Sequence, residues 1–262
     1  MLQRYKNITL LLLAILVLGG CSSKKSDDIE PQATVSSLPK TVKIETYGSK
    51  NPNIYAYTWK DNLLTSYTIT SLNTSTNRDF VRTYEFTRNA KNQIKTEKYS
   101  YKGADYADGS QSYEYEYNTD GSEIILEKYM QWIYNNKGQL TTLNYTNPSQ
   151  WAKTFEKFEY QSDGQLTKYQ FKSNIETICS LGEFTTVENP LYKFTENTQF
   201  LKLSYSDGQI VALFASKMIP KSVINGDFSN KITYTLDSQQ RVSTIALVSS
   251  FGITLFKITI GY

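Results

Sequence analysis

The chain of 262 residues contains no histidine and only two cysteines, Cys21 and Cys179. Without histidine it lacks the commonest general base and metal ligand, which excludes Ser-His and Cys-His catalytic arrangements. Two cysteines alone do not make a zinc cluster, and a modified Cys21 leaves Cys179 without a disulfide partner. No basic residue neighbours Cys179 in the sequence, so we interpret it as a buried packing residue. We therefore expect no cofactor and no metal.

The chain also has little excess of either positive or negative charge. The net charge is +3, and removing residues 1–20 takes away Arg4 and Lys6 and leaves +1. A chain this close to neutrality has no basic field to attract nucleic acid. No P-loop, nucleophile elbow or dinucleotide glycine motif is present. We therefore predict a protein that is not an enzyme and does not bind nucleic acid.

The one long hydrophobic run lies near the N-terminus. Ile8–Leu18 is eleven residues long, whereas a membrane-spanning helix needs roughly 20. Arg4 and Lys6 precede this run, and Leu18-Gly19-Gly20-Cys21 follows it. The positive start, short apolar core and small residues are typical of a cleaved export signal.

The Leu18-Gly19-Gly20-Cys21 run resembles the lipobox of bacterial lipoproteins. The resemblance implies that residues 1–20 are removed and that Cys21 carries lipid, which anchors the chain without a transmembrane helix. The polar stretch Ser22–Asp28 resembles the surface-export signal of Bacteroidetes lipoproteins. We predict a flexible tether over 21–40 and a lipid-anchored position in the outer membrane, exposed at the cell surface. The alternative orientation faces the periplasm.

What the chain has in abundance is tyrosine, with 21 residues. Many tyrosines belong to a degenerate unit that runs Tyr-x-x-x-Gly-x-Leu or Ile. We predict that each unit is one β-hairpin, in which a type I turn is followed by a left-handed glycine. Seven copies predict about fourteen strands. The copies are Tyr134–Leu140, Tyr160–Leu166, Tyr205–Ile210 and Tyr117–Ile124, with looser ones at Trp59–Leu63, Phe86–Ile94 and Leu236–Val242.

The segments between the turns alternate with period two. Tyr113, Tyr115 and Tyr117 share one face of a strand, with Glu114 and Glu116 on the other. No stretch after residue 40 has a convincing helical stripe, and 189–199 has the least β character. We predict an all-β fold over 41–262: a single antiparallel up-and-down meander of hairpins. A meander this long curls into a strongly curved sheet or a water-soluble barrel.

The repeat unit resembles the tyrosine-aspartate repeats of bacterial shell-forming toxin proteins. Together, the lipobox, the acidic tether and the tyrosine-rich hairpins resemble a family of uncharacterised Bacteroides lipoproteins. The resemblance covers most of the mature chain and implies a porin-like fold. It supplies no catalytic residues.

Exposed aromatic rings are the candidate binding residues, because flat amphipathic faces stack on sugar rings or fill protein interfaces. Against this stands the ordinary role of strand aromatics, which is packing. The predicted role is a non-enzymatic surface protein that binds a glycan or a surface protein. The candidate ligand-binding residues are Trp59, Trp132, Trp151, Tyr99, Tyr101, Tyr113 and Tyr115.

Two alternative functions use other features. A hydrolase would need paired carboxylates, for which Glu114 with Glu116 or Asp27 with Asp28 are the candidates. A membrane-spanning barrel is suggested by the alternating C-terminal segment 256–262, which ends on an aromatic residue. Strands such as 153–158, which mix Lys, Thr and Glu on both faces, argue against a lipid-facing band.

Overall fold

The computed structural model describes residues 38–49, 51–73, 78–103, 108–119, 123–126, 130–145, 154–173, 175–198 and 208–262. These residues belong to one compact unit, Gln32–Tyr262. Cys21, the signal and most of the tether, together with Trp151, lie outside the described residues. Within the described parts, no helix is long and apolar enough to cross a membrane.

The described residues form one sheet of seventeen strands. The first nine are β1 (Thr41–Thr46), β2 (Asn53–Lys60), β3 (Leu63–Asn73), β4 (Arg78–Arg88), β5 (Ile94–Lys102), β6 (Gly109–Glu114), β7 (Glu116–Tyr117), β8 (Glu123–Leu126) and β9 (Met130–Tyr134). The other eight are β10 (Leu140–Tyr145), β11 (Phe155–Tyr160), β12 (Leu166–Lys172), β13 (Glu176–Glu188), β14 (Met218–Asn225), β15 (Phe228–Leu236), β16 (Val242–Val248) and β17 (Thr254–Gly261).

Each strand pairs antiparallel with the next one along the chain, which confirms the predicted up-and-down meander. The one interruption is Tyr115, which separates β6, paired with β5, from β7, paired with β8. The last strand returns to the first: β17 pairs with β1 from Thr41↔Gly261 to Thr46↔Phe256. The sheet therefore closes on itself and has no free edge at this point.

A closed meander places successive connections alternately at its two ends. We call the end where β1 begins the repeat-turn end, because it holds the turns after β2, β4, β7, β9, β11 and β15. The opposite end, which holds the turns after β1, β5, β12, β14 and β16, is the far end. The described chain enters the sheet at the repeat-turn end, where Lys40 donates to the carbonyl of Gly261.

The repeat unit folds as its sequence predicts. Gly138 and Gly164 have φ of +73° and +88°, and the register shifts beside both turns, as expected of a bulged hairpin. In two looser copies Asn92 and Gln240 occupy the same left-handed position, with φ of 59° and 60°. The shared requirement is therefore the backbone conformation, which glycine satisfies with least strain.

Side chains on the inner face form the core. Strand β15 illustrates the alternation: Asn230 and Ile232 are buried, whereas Lys231 and Thr233 are exposed on the outer face. The core is unusually aromatic, because tyrosines occupy many inward positions. The largest fully buried side chains include Trp132, Tyr55, Tyr67, Tyr169 and Phe256.

Two short helices interrupt the meander between β13 and β14: α1 (Tyr192–Thr198) and α2 (Gly208–Phe214). Every residue of α2 is buried. The predicted hairpin over Tyr205–Ile210 is therefore wrong at its described end, as is the expectation of no helix beyond the short 189–199 segment. A helix buried on all sides has no polar face, so α2 shows no amphipathic stripe in the sequence.

The helices fill the interior at the repeat-turn end. Phe194 of α1 packs its ring against Tyr57 and Tyr67, at centroid distances of 5.1 and 5.2 Å, and against Phe214 of α2 at 6.3 Å. Asn189 donates to the carbonyls of Leu213 and Ser216 at 2.7 and 2.9 Å. These bonds join the segment before α1 to the C-terminal end of α2 and the residues just after it.

Two buried carboxylates are held by tyrosine hydroxyls. Glu156 accepts hydrogen bonds from Tyr145 and, at 2.5 Å, from Tyr169. Glu97 accepts one from Tyr115 at 3.0 Å. Burial, and then the neighbouring Glu156, raises the pKa of both Tyr145 and Tyr169. Tyrosine hydroxyls therefore supply hydrogen bonds to both buried carboxyl groups.

Because so many phenols are buried, we predict that the protein unfolds in alkali. Burial is the largest cause that raises the pKa of Tyr67, Tyr84, Tyr115, Tyr134, Tyr145, Tyr160 and Tyr169 above the ordinary value of 10.0. In the unfolded chain these phenols ionise at about pH 10. Stability is therefore independent of them below that pH and falls as the pH rises above it. The phenolate absorbance of the buried tyrosines should rise in the same transition in which the circular dichroism changes. Ionisation of all tyrosines at about pH 10 with unchanged circular dichroism contradicts the burial.

Candidate functional site

The inner face of β4–β6 becomes exposed towards the far end. Along β6, Tyr115 is buried, Tyr113 is half-buried and Gln111 is exposed, although all three are on the same face. Along β5, Glu97 is buried and Tyr99 and Tyr101 are half-buried. The core therefore stops short of the far end in this part of the sheet.

The strand register brings these inward side chains side by side. Tyr84 of β4 pairs with Tyr99 of β5, and Tyr99 pairs with Gln111 of β6. One step nearer the far end, Arg82 pairs with Tyr101. We call the half-buried and exposed members of this set the far-end aromatic site. It consists of Phe80, Arg82, Tyr99, Tyr101, Gln111 and Tyr113.

The rings of the site continue a ladder that starts in the core. Tyr67 and Tyr84 are stacked with centroids 4.5 Å apart, and Tyr84 lies 5.0 Å from Tyr99. Tyr99 lies 5.7 Å from Tyr101, whose ring is 6.2 Å from Phe80. Contacts at these distances hold the outer rings against the buried ones. The site is therefore a continuous aromatic surface that begins in the core.

Gly109 provides the space in which Tyr101 lies. A Cβ atom at this position would meet the Tyr101 hydroxyl oxygen at 2.3 Å and ring carbon Cζ at 2.4 Å. The Tyr101 ring thus lies directly over the glycine on the neighbouring strand. This contact sets the orientation of the outermost tyrosine of the site.

One cation and one carboxylate set the electrostatics. The Arg82 guanidinium lies 5.7 Å from the centre of the Phe80 ring, within cation–π range. Burial raises the pKa of Tyr99, and the charge of Arg82 opposes that rise. Glu97 lies deeper and is fully buried. Phenol groups, a guanidinium and the Gln111 amide together offer ring faces and hydrogen-bonding groups to a polar ligand.

The structure separates the predicted binding residues. Tyr99, Tyr101 and Tyr113 lie together in the far-end aromatic site. Tyr115 and Trp132 are buried, 6.1 Å apart in an edge-to-face contact, so a ligand at the surface does not reach them. Trp151 lies outside the described residues.

Trp59 lies at the repeat-turn end, away from this site. Its ring is half-buried 6.2 Å from Tyr57, and its Nε1 donates to the Pro39 carbonyl at 2.6 Å. Phe80, Arg82 and Gln111 were not among the predicted binding residues. The alternation of β4 could have indicated two of these residues, because it places Phe80 and Arg82 on the same face as Tyr84.

The candidate carboxylate pair does not join the site. Glu114 and Glu116 are exposed on the outer face. Among the described residues, no group of three or more histidine, cysteine, aspartate or glutamate side chains is placed to hold a metal ion.

The far end also carries the exposed apolar surface. The exposed large hydrophobic side chains of the described chain are all in far-end turns or in the strand residues beside them. Phe251 is 80% exposed, Tyr47 is 68% exposed and Ile253 is 41% exposed. The backbone amide of Tyr47 donates to the Leu255 carbonyl at 2.7 Å. The others are Ile54, Ile175, Ile178, Ile224 and Phe228.

Comparisons with known proteins give fold neighbours only. No protein-family model and no curated protein matches the chain. A porin-like protein from Bacteroides uniformis ATCC 8492 is 14% identical over 86% of this chain and 98% of its own, with a TM-score of 0.41. A porin-like protein from Bacteroides vulgatus ATCC 8482 is 11% identical over the same shares, with a TM-score of 0.39. TcdB2-TccC3 without its hypervariable C-terminal region is 9% identical over 76% of this chain and 10% of its own, with a TM-score of 0.36. At these identities and TM-scores the likenesses carry no argument about function.

We predict that Gly109→Ala displaces the Tyr101 ring without unfolding the protein. The clash is with the end of a side chain that can rotate away, so the free energy of unfolding should change by less than about 1 kcal/mol. Loss of the Tyr99–Tyr101 ring contact is measurable as a shift of the Tyr101 ring resonances by NMR. Ser110→Ala is the control, because Ser110 is the neighbouring residue of β6 and is exposed on the opposite face. Unchanged Tyr101 resonances in Gly109→Ala contradict the contact.

Proposed function

We propose that the protein is a non-enzymatic, lipid-anchored surface protein of the outer membrane that binds a glycan at the far-end aromatic site. The observation that carries this proposal is the half-buried row of Phe80, Tyr99, Tyr101 and Tyr113, which extends the aromatic ladder of the core into solvent. Sugar rings stack on fixed aromatic faces, and hydroxyl groups pair with amide and guanidinium groups. Arg82 and Gln111 supply such groups next to the rings.

The polar outer face of the sheet supports a location in water and not in lipid. Outward positions on β15 and β17 carry Lys231, Thr233 and Lys257, all exposed. A sheet that faces lipid needs an apolar outer band instead. The proposal therefore assigns membrane attachment to lipid on Cys21.

The exposed apolar residues of the far end support a second ligand, a surface protein. Phe251 and Ile253 lie in the turn before β17, and Tyr47 follows β1, the strand that pairs with β17. Apolar patches that remain exposed commonly mark protein interfaces. In this alternative the ligand is a protein, which binds the exposed apolar residues at the rim of the far end and not the far-end aromatic site.

The anchor is tested with Cys21→Ser. We expect the unsubstituted protein to incorporate labelled fatty acid and to fractionate with the outer membrane, because acyl chains supply the membrane affinity. The Cys21→Ser variant should lose the label and leave the membrane fraction, while Cys179→Ser, altered at a buried residue, should behave as the parent. Membrane retention of unlabelled Cys21→Ser contradicts the anchor. Digestion of intact cells with protease measures surface exposure.

Glycan binding is tested with Tyr99→Ala and Tyr101→Ala in the exported chain carrying Cys21→Ser. Removing one stacking ring should weaken binding to a responsive glycan about tenfold, as expected for a contact of about 1.4 kcal/mol. Tyr47→Ala is the matched control, since Tyr47 is an exposed tyrosine of the far end outside the site. Array screening followed by titration calorimetry measures the affinities.

Three outcomes would contradict the glycan version. One is the absence of any responsive glycan, and another is equal binding by the Tyr101→Ala and parent chains. The third is loss of glycan binding in Tyr47→Ala alone, which would locate the glycan at the rim and not at the far-end aromatic site. Release of new reducing ends from a bound polysaccharide, abolished by Glu114→Gln, would overturn the non-enzymatic assignment.

A further inference from the structure

The turns at the two ends of the sheet differ in their chemistry. At the repeat-turn end, the described turns after β2, β4, β9, β11 and β15 contain no large hydrophobic residue. At the far end, the turns after β12, β14, β16 and β1 each carry one that is more than half exposed. Because β17 pairs with β1, these four turns follow one another along the closed sheet. In that order the exposed residues are Ile175, Phe228, Phe251 and Tyr47.

Isoleucines widen this arc. Ile54, Ile178 and Ile224 point outward from the strands beside the turns, and Ile253 lies in the same turn as Phe251. All four are exposed. We call the eight residues the apolar rim, and they extend over the strands from β12 through β17 to β2. The apolar rim consists of Tyr47, Ile54, Ile175, Ile178, Ile224, Phe228, Phe251 and Ile253.

Lysines lie directly behind the apolar rim. Lys221, Lys231 and Lys257 are exposed on the outer face, three or four residues along their strands from Ile224, Phe228 and Ile253. An apolar edge backed by lysines is typical of proteins that rest in a membrane interface, because long lysine side chains reach the headgroups.

Carboxylates limit the net charge of this end. Glu45, Glu176 and Asp227 lie among the far-end turns and strand ends, and Glu45 accepts from Lys43 at 2.8 Å. The lysines and carboxylates nearly balance. Attraction to a membrane would therefore come mainly from the apolar side chains, and it would not require anionic lipid.

The tether is long enough for the far end to reach the membrane. Sixteen residues, 22–37, separate Cys21 from Leu38, the first described residue. A flexible chain of this length spans about 22 Å on average and about 55 Å when fully extended. The eight residues of β2 extend over about 27 Å. The tether can therefore run from a membrane under the far end to the repeat-turn end, where the chain enters the sheet.

We propose that the apolar rim docks in the interfacial layer of the membrane that holds the lipid anchor. The inference rests on the lipid anchor of the proposed function, because the tether keeps the apolar rim at a high local concentration beside that membrane. Side chains at the tips of four separate turns insert readily into a deformable lipid surface, which favours lipid over a protein as the occupant. The arc excludes β4–β6, so docking tilts the sheet and leaves the far-end aromatic site on the raised side.

The test uses vesicles of phosphatidylcholine, a lipid without net charge, and the exported chain carrying Cys21→Ser. Without acyl chains, we expect a partition constant below the roughly 10⁴ M⁻¹ of a single myristoyl chain. The unlipidated chain should therefore still leave the membrane fraction of lysed cells. The double variant Phe228→Ser, Phe251→Ser should bind vesicles about tenfold more weakly, because two exposed rings no longer enter the lipid. Flotation at a series of lipid concentrations measures the constant.

Ser250→Ala is the matched control, because Ser250 is an exposed residue of the turn that holds Phe251. It should bind vesicles as the parent chain does. All variants should keep the parent melting temperature, since the changed side chains are exposed. Equal partition constants for the parent chain and the double variant overturn the proposal.

Vesicles that contain spin-labelled lipid locate the contact. The amide resonances of Phe228 and Phe251 should broaden, whereas those of Asn89 and Asn135 at the repeat-turn end should not. Equal broadening at both ends overturns the proposal, and so does the absence of vesicle binding. If a concentration-dependent dimer then forms and the double variant loses it, the apolar rim is an interface between two copies of the chain. These readouts need neither lipid on Cys21 nor a glycan, so failure of the proposed function is measured separately.

Discussion

The pairing of β17 with β1 is the constraint on which the rest of the structure depends. Six residue pairs, from Thr41↔Gly261 to Thr46↔Phe256, join the two ends of the meander. The pairing removes two edges that would otherwise expose unpaired backbone groups. It also gives the sheet an inside, so that every inward position must be filled or left in contact with solvent. The alternation within each strand then decides which side chains fill the interior. Tyrosines and aliphatic residues point inward, and lysine and threonine point outward.

The filling of that interior differs between the two ends. At the repeat-turn end α1 and α2 occupy the core, and Asn189 and Phe194 fix them to each other and to the walls. At the far end no described element covers the inner face of β4–β6, and the ladder from Tyr67 through Tyr99 reaches solvent. The same tyrosines thus pack in one place and present a surface in another. The difference comes from the helices and not from the strands themselves.

Much of the fold could be predicted because its signals are local. The left-handed residue after each turn, seen at Gly138 and Gly164, follows from backbone conformation within five residues. Period-two alternation placed Tyr113 and Tyr115 on the inner face. Helix α2 was missed because a short helix buried on all sides has no periodic signal. Tyr115 and Trp132 were interpreted as binding residues because strand sequence gives the face of a residue but not its depth in the core.

The sequence by itself determined the hairpin units, their direction of pairing and which side chains face inward, since turn chemistry and alternation act over a few residues. Only the tertiary structure decided that β17 returns to β1 and that Tyr101 lies over Gly109. These features join residues far apart in the chain.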